Sequence, residues 1–80
     1  MTQVDARLER DGNWWLAWIT VDGEEQGTQG QDLMEVSEMA TDLAAQWGVP
    51  SPAIRLVAGD VAAQEALAAH TGGVPEYVAG

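Results

Sequence analysis

Apolar and polar residues alternate along the first part of the chain. Residues 4–9 place three apolar side chains on one side and three charged side chains on the other, which is the period of a half-buried strand. A second β-rich run covers residues 14–21, and the dipeptide Asp11-Gly12 between the runs is a strong hairpin signal. The two runs therefore predict an antiparallel hairpin.

The register of this hairpin decides which side chains face the core. A two-residue turn makes three apolar cross-strand pairs on one face: Leu8 with Trp15, Ala6 with Ala17, and Val4 with Ile19. The other face then carries an aromatic stripe, Trp14, Leu16 and Trp18, beside the charged residues of the first strand. A three-residue loop with a bulge at Gly12 would shift the register by one and exchange the faces of the second strand. We favour the two-residue turn.

Turn and capping signals divide the middle of the chain. Asp22-Gly23 predicts a second tight turn, followed by a short polar third strand over residues 24–29 near an edge of the sheet. Asp32, followed three residues later by Glu35, is the acidic form of a capping box and predicts the start of a helix. The apolar stripe of this helix consists of Leu33, Val36, Ala40, Leu43, Ala44 and Trp47. Gly48 ends the helix.

The last third of the chain predicts one more strand and one more helix. Residues 53–58 form a fourth strand that rejoins the sheet, and Gly59-Asp60 precedes a short alanine-rich helix over residues 61–70. Residues 71–80 are predicted to be a flexible tail. The expected fold is a single α+β domain over residues 1–80. It consists of a three-stranded antiparallel meander, one packed amphipathic helix, a fourth strand and a short C-terminal helix.

The charge of the chain is strongly one-sided. The formal net charge is −10, from 13 acidic residues against three arginines and no lysine. Residues 22–42 hold seven of the acids and no basic residue. This charge opposes direct binding to nucleic acid or to an anionic membrane, and it would attract a basic partner. The alternative is that acidity only keeps a small protein soluble.

The residues needed for catalysis or for a cofactor are missing from the pattern. The absence of cysteine excludes disulfides, thiolate chemistry and cysteine-based zinc sites. The one histidine, His70, falls near the end of the weaker helix with no orienting carboxylate in view. The acidic turn lacks the spacing of an EF-hand loop, and a phosphate at the glycines before the first helix would meet Asp32 and Glu35. We expect no enzyme activity, no cofactor and no metal.

The chain also lacks membrane and export signals. No apolar run approaches the ~20 residues that span a bilayer, and the first ten residues lack the basic-then-apolar plan of a signal peptide. We expect a cytoplasmic protein.

A partner-binding role remains. Trp is enriched at interface hot spots, and a bare face of a small sheet is also a natural homodimer surface. The alternative is that the fourth strand or the last helix covers this face. The candidate partner-binding residues are Trp14, Leu16, Trp18, Asp22, Glu24, Glu25, Glu35 and Glu38.

Residues 11–19, the turn at Gly23 and residues 27–40 together resemble the amino-terminal domain of HicB-family antitoxins. The start of the helix carries the resemblance through Thr28, Gln29, Gly30, Asp32, Leu33 and Glu35, with Val36 in place of the family's usual alanine. The resemblance covers about residues 4–58. It implies a β-β-β-α-β arrangement related to double-stranded-RNA-binding and partial ribonuclease H folds.

The resemblance implies a domain that masks a small basic ribonuclease toxin of the HicA type. Two features depart from the family. Residues 20–23 replace its proline-rich segment, and its helix-turn-helix or ribbon-helix-helix DNA-binding segment has no counterpart, so operator binding is not expected. The alternative function is an orphan homodimeric protein of a phage or mobile element that inhibits a basic host protein or mimics nucleic acid. A neighbouring gene for a small basic toxin would favour the antitoxin.

Overall fold

The computed structural model describes residues 2–71 and 76–79. The elements in chain order are β1 (Thr2–Asp11), β2 (Trp14–Val21), β3 (Glu24–Gly30), α1 (Leu33–Gln46), β4 (Pro52–Ala58), α2 (Val61–Thr71) and β5 (Glu76–Ala79). The predicted α+β class and the predicted order of the first six elements are confirmed.

The strands form one mixed sheet in the order β3-β2-β1-β4-β5. β1, β2 and β3 are the predicted antiparallel meander, and β4 rejoins the sheet beside β1 in parallel. β5 pairs antiparallel with β4 and was not among the predicted elements. Of the tail predicted over residues 71–80, residues 72–75 and 80 lie outside the described part of the chain.

Both helices pack against the same face of the sheet. The buried core joins inward-facing residues of the strands to one stripe of each helix: Ala6, Leu8, Trp15, Ala17, Ile19, Ile54 and Leu56 with Val36, Ala40, Ala44, Ala63 and Leu67. Period-two burial in the strands and a single buried helix stripe are what two packed layers require. Within the described residues, neither β4 nor α2 covers the opposite face, so the fold leaves that face open.

The β1–β2 hairpin has a two-residue turn, but the predicted partners were wrong. Asp11 pairs with Trp14 and Leu8 pairs with Ala17, so the turn consists of residues 12–13. Gly12 has a φ of +59° and occupies the first central position, where a II′ turn needs positive φ. The predicted turn would have placed Asp11 there. Because the shift is two residues, every side chain keeps its predicted face.

Helix α1 begins with a variant of the predicted capping box, in which the glutamate reaches back to the residue before the N-cap. The backbone N–H of Glu35 donates to Asp32 at 2.7 Å, and the Glu35 carboxylate accepts the N–H of Gln31 at 3.0 Å. At the other end, Trp47 is the C-cap and is 42 % exposed. Its predicted place on the core stripe was wrong, because the backbone leaves helical geometry at this residue.

The close approach of α1 to β3 depends on Gly30. A Cβ at this position would lie 2.5 Å from the backbone nitrogen of Val36, a contact that only a backbone shift relieves. At Gly27 a Cβ would instead meet the Trp18 ring, 2.7 Å from its Cζ3 atom. A ring can move more easily than a helix backbone.

We predict that Gly30→Ala lowers the free energy of unfolding by about 1–3 kcal/mol, the usual cost of overpacking. Gly27→Ala, the matched control, should cost less, because the ring yields and alanine suits a strand better than glycine. Urea denaturation of both variants measures the difference. Equal losses would show that the contact with α1 is not the constraint.

Helix α2 is tied to β1 by one carboxylate. Asp60 accepts the N–H of Ala63 at 2.7 Å as an N-cap, and its second oxygen accepts the N–H of Arg10 at 2.8 Å. The Arg10 guanidinium in turn lies 4.6 Å from the centre of the Trp15 ring. The hydrogen bonds from Ala63 and then Arg10 lower the pKa of Asp60.

We predict that Asp60→Ala lowers the free energy of unfolding by about 1 kcal/mol near neutral pH, as for other lost N-caps. Because the folded state lowers the pKa of Asp60, its contribution is present above the unfolded-state pKa and disappears as pH falls through the folded-state value. The variant and the wild type should therefore converge in stability below about pH 4. Urea midpoints measured at several pH values test this, and a constant gap down to acid pH would contradict it.

Candidate partner-binding surface

The face of the sheet opposite the helices carries the predicted aromatic stripe. We call it the open sheet face. β2 contributes Trp14, which is 38 % exposed, and the half-buried Leu16 and Trp18. Neighbouring strands contribute Asp5, Arg7, Glu9, Glu25, Gly27, Gln29 and Arg55. The predicted face of the stripe is therefore confirmed.

Trp18 lies over the backbone of the neighbouring strand. It is the cross-strand partner of Gly27, and its ring atoms occupy the space that a Cβ of residue 27 would need. An aromatic side chain that covers a cross-strand glycine protects the backbone of an edge strand from water. The stripe thus has a part packed on β3 at Trp18 and a more exposed part at Trp14.

The indole N–H of Trp18 is buried, and no described residue accepts a hydrogen bond from it. Beside it lies a depression of about 480 Å³ lined by Leu16, Trp18, Gly27, Thr28 and Gln29. A buried donor without a partner costs about 1–3 kcal/mol relative to a satisfied one. An acceptor supplied by another molecule would remove this cost.

Arg7 links β1 to β3 across the open sheet face. Its guanidinium lies 3.5 Å from the Glu25 carboxylate and 3.9 Å from that of Glu9. β1 and β3 are two strand spacings apart, about 9.6 Å, so the Arg7 side chain crosses β2 beside Trp18. Such exposed ion pairs contribute only about 0–1 kcal/mol each. Their main effect is to neutralise the cation.

The second arginine of this face is also held by a carboxylate. Arg55 donates two hydrogen bonds to Asp5, at 3.0 and 2.9 Å, in a bidentate pair. The third arginine, Arg10, lies against Trp15 in the helix-covered layer. The open sheet face therefore lacks the basic groove that accompanies aromatic platforms for single-stranded nucleic acid.

The structure divides the predicted acidic residues into two groups. Asp22 lies in the tight β2–β3 turn with a φ of 52°, and the exposed Glu24 and Glu25 begin β3. Glu35 and Glu38 lie on α1, in the other layer, where Glu35 serves the capping box. Glu25 therefore shares the open sheet face with the aromatic stripe, but it lies opposite Thr20, close to the Trp18 end of the stripe and far from Trp14. Asp22 and Glu24 lie at the margin of that face. The structure separates Glu35 and Glu38 from it.

Two residues of the surface, Gly27 and Gln29, were missed by the sequence reasoning. Arg7 was placed on this face, but its contact with Glu25 was not foreseen. Gly27 offered a usable signal, because an isolated glycine within a strand often marks a close backbone approach. The position of Arg7 across β2 depends on the three-strand register. That register became known only once both turns were placed.

A second opening lies where β1 and β2 separate. Their pairing ends at Arg7 and Trp18, while β1 continues along β4 and β2 continues along β3. A cavity of about 690 Å³ fills the fork, lined by Thr2, Gln3, Val4, Asp5, Thr20, Val21, Asp22, Val49 and Arg55. Two of the lining residues, Arg55 and Asp5, form an ion pair with each other.

Among the described residues, no three His, Asp or Glu side chains are grouped so that they could hold a metal ion. No helix in the same part of the chain is long and apolar enough to cross a membrane. Comparison of the chain with models of known protein families, with curated proteins and with solved structures gives no match. The resemblance to HicB antitoxins therefore rests on the motif in residues 11–40.

We predict graded costs for removing the tryptophans of β2. Trp14→Ala should lower the free energy of unfolding by about 1 kcal/mol and Trp18→Ala by about 2–3 kcal/mol. Trp15→Ala, the buried control, should cost about 3–5 kcal/mol. Urea denaturation measures all three. A loss at Trp14 as large as that at Trp15 would mean that Trp14 serves the core rather than a binding surface.

Proposed function

We propose that this chain is an acidic, antitoxin-like protein-binding module that neutralises a small basic protein by covering it with the open sheet face. One observation carries the proposal: in the described part of the chain no layer covers this sheet face, which holds the exposed Trp14 at one end of β2 and, beyond Leu16, Trp18, whose buried indole N–H has no acceptor among the described residues. Large aromatic residues on a bare, ordered face are typical anchors of protein interfaces. No reaction is proposed at this surface.

Charge identifies the kind of partner. A net charge of −10 attracts a cationic protein over several ångströms and accelerates its association. Asp22, Glu24 and Glu25 lie around the β2–β3 turn, beyond the Trp18 end of the aromatic stripe, and would attract a cationic partner to that end of the face. A basic protein whose own surface binds nucleic acid would be occluded by such contact.

The resemblance to HicB antitoxins narrows the partner to a small ribonuclease toxin of the HicA type. The toxin would bind RNA through a basic surface, and the open sheet face would cover that surface. The element order β-β-β-α-β, which the resemblance implies, is present in the chain. This narrower proposal rests on the sequence motif.

A second candidate function is favoured by the position of the other acids. Glu35, Glu38 and Asp42 are on α1, away from the aromatic stripe. In an orphan homodimer of phage or mobile-element origin, two open sheet faces would bury each other. The acidic helices would then face outward to inhibit a basic host protein or mimic nucleic acid.

We expect affinity capture from the native host lysate at low salt to recover one small basic protein with the tagged chain. With that protein purified, the association rate should fall between low and physiological (about 0.15 M) ionic strength, because screening weakens steering. Trp14→Ala should weaken binding at least about tenfold, the usual effect of losing a hot spot. Surface plasmon resonance measures both.

Two charge variants separate the two candidate functions. Glu25→Gln should slow association if the open sheet face binds the partner, whereas Glu38→Gln on α1 serves as the matched control. A larger effect of Glu38→Gln, with a dimer in sedimentation analysis, would favour the second function. An association rate that is indifferent to salt would remove the steering argument.

A further inference from the structure

We propose that the partner adds an extended, cationic segment as a sixth strand along the outer edge of β3. The inference rests on the proposed function, because it specifies how the proposed partner binds. β3 is the terminal strand of the sheet and pairs only with β2 among the described residues. Its pairing is continuous from Glu24 to Gly30, without a bulge or proline that would block another strand.

The hydrogen-bond pattern shows which backbone groups face outward. Val21 and Glu24 flank a two-residue turn and so form a bonded pair, and bonded pairs alternate along an antiparallel ladder. Residues 24, 26, 28 and 30 therefore direct their N–H and C=O groups towards β2. Glu25, Gly27 and Gln29 direct theirs towards the free edge.

The other ladders agree with this assignment. In the β1–β2 hairpin, Asp11 and Trp14 flank the turn and form a bonded pair, so the even-numbered residues of β2 bond to β1. The odd-numbered residues of β2 therefore bond to β3. By the same alternation, the even-numbered residues of β1 direct their backbone N–H and C=O groups towards β4. The carbonyl of Leu8, for example, accepts the N–H of Gly59 at 2.8 Å. Exposure also agrees, since Glu25, Gly27 and Gln29 are exposed.

The side chains beside this edge leave room for an added strand. A residue placed opposite Gly27 directs its side chain onto the open sheet face, where residue 27 has none. There it meets the Trp18 ring and the depression of about 480 Å³ next to it. A polar side chain at this position supplies an acceptor near the unpartnered indole N–H of Trp18.

Charge selects a basic segment over a second copy of this chain. Glu24 and Glu25 stand at one end of the edge, and the remaining residues of β3 are uncharged. Lysine or arginine opposite Glu25 would form a favourable cross-strand pair. A second copy brings another net charge of −10 and no lysine, so edge-to-edge self-pairing is opposed.

The test uses a synthetic peptide as long as β3, acetylated and amidated, that alternates threonine with valine and ends in two lysines. Its control is the same peptide with N-methyl groups on alternate backbone nitrogens, which cannot pair with an edge. In ¹⁵N-labelled protein, the first peptide should shift the amide signals of Glu25, Gly27 and Gln29 and the Trp18 indole signal. It should also slow hydrogen exchange at these three amides, and the methylated peptide should do neither.

Gln29→Pro and Gln29→Ala form a matched pair of protein variants. Proline at 29 removes one outward N–H and leaves the bonds to β2 in place, whereas alanine removes only the side chain. We expect Gln29→Pro to weaken peptide binding at least about tenfold and Gln29→Ala to change it by less than about twofold. Circular dichroism confirms that both variants fold.

Three outcomes would overturn the inference. Equal binding of both peptides, or of both Gln29 variants, would show that the edge backbone is not used. Slow exchange at Glu25, Gly27 and Gln29 in the free protein, with a dimer in solution, would show that a second copy occupies the edge. A captured partner that binds Gln29→Pro normally but loses affinity for Trp14→Ala would refute strand addition and leave the proposed function intact.

Discussion

Both helices cover the same face of the sheet, and the rest of the molecule depends on this packing. α1 connects β3, at one edge, to β4 on the far side of β1, so it passes over the meander. α2 follows β4 and packs over β4 and β1 on the same side, where it completes the core. Within the described residues, the opposite face of the sheet has no covering layer, and β3 and β5 are its two edge strands.

Small residues make this packing possible. Five of the twelve residues of the core cluster are alanines, and Gly30 lets the first turn of α1 approach β3 closely. Because the helix and the sheet lie close together, many atoms are in van der Waals contact even though each side chain is small. The cost is that few bulky residues hold the layers together, chiefly Leu8, Ile19, Ile54, Leu56, Leu67 and Val36. N-cap hydrogen bonds at Asp32 and Asp60 fix the first turn of each helix, and a further bond from the Arg10 N–H to Asp60 ties α2 to β1.

The sequence predicted the features that local periodicity determines. Alternation over two positions assigned the faces of β1 and β2, and the capping box located the start of α1. The hairpin partners were off by two residues, because Asp11-Gly12 and residues 12–13 both satisfy local turn rules. The choice between them depends on which residue takes positive φ. Neither the pairing of β5 with β4 nor the reach of Arg7 to Glu25 has a local signature, because both depend on residues far apart in sequence.

The candidate site was only partly predictable for a related reason. The acidic residues of segment 22–42 look alike in the sequence, but in the fold they have different roles. Glu35 closes a capping box, whereas Glu25 holds Arg7 across the sheet. Composition does not distinguish a structural carboxylate from one that faces a partner. The distinction needs the layer on which each residue lies.

This division of charge also separates the roles of charge and apolar contact in binding. The two layers are about 10 Å apart, which is comparable to the screening length of about 8 Å at physiological salt. Carboxylates on α1 therefore act weakly on a partner at the open sheet face, and the acidic residues around the β2–β3 turn act more strongly. Because Arg7 and Arg55 are already in ion pairs there, the face offers a partner mainly Trp14, Leu16, Trp18 and the backbone of β3. Charge would then govern how fast a cationic partner arrives, and these uncharged groups would govern how long it stays.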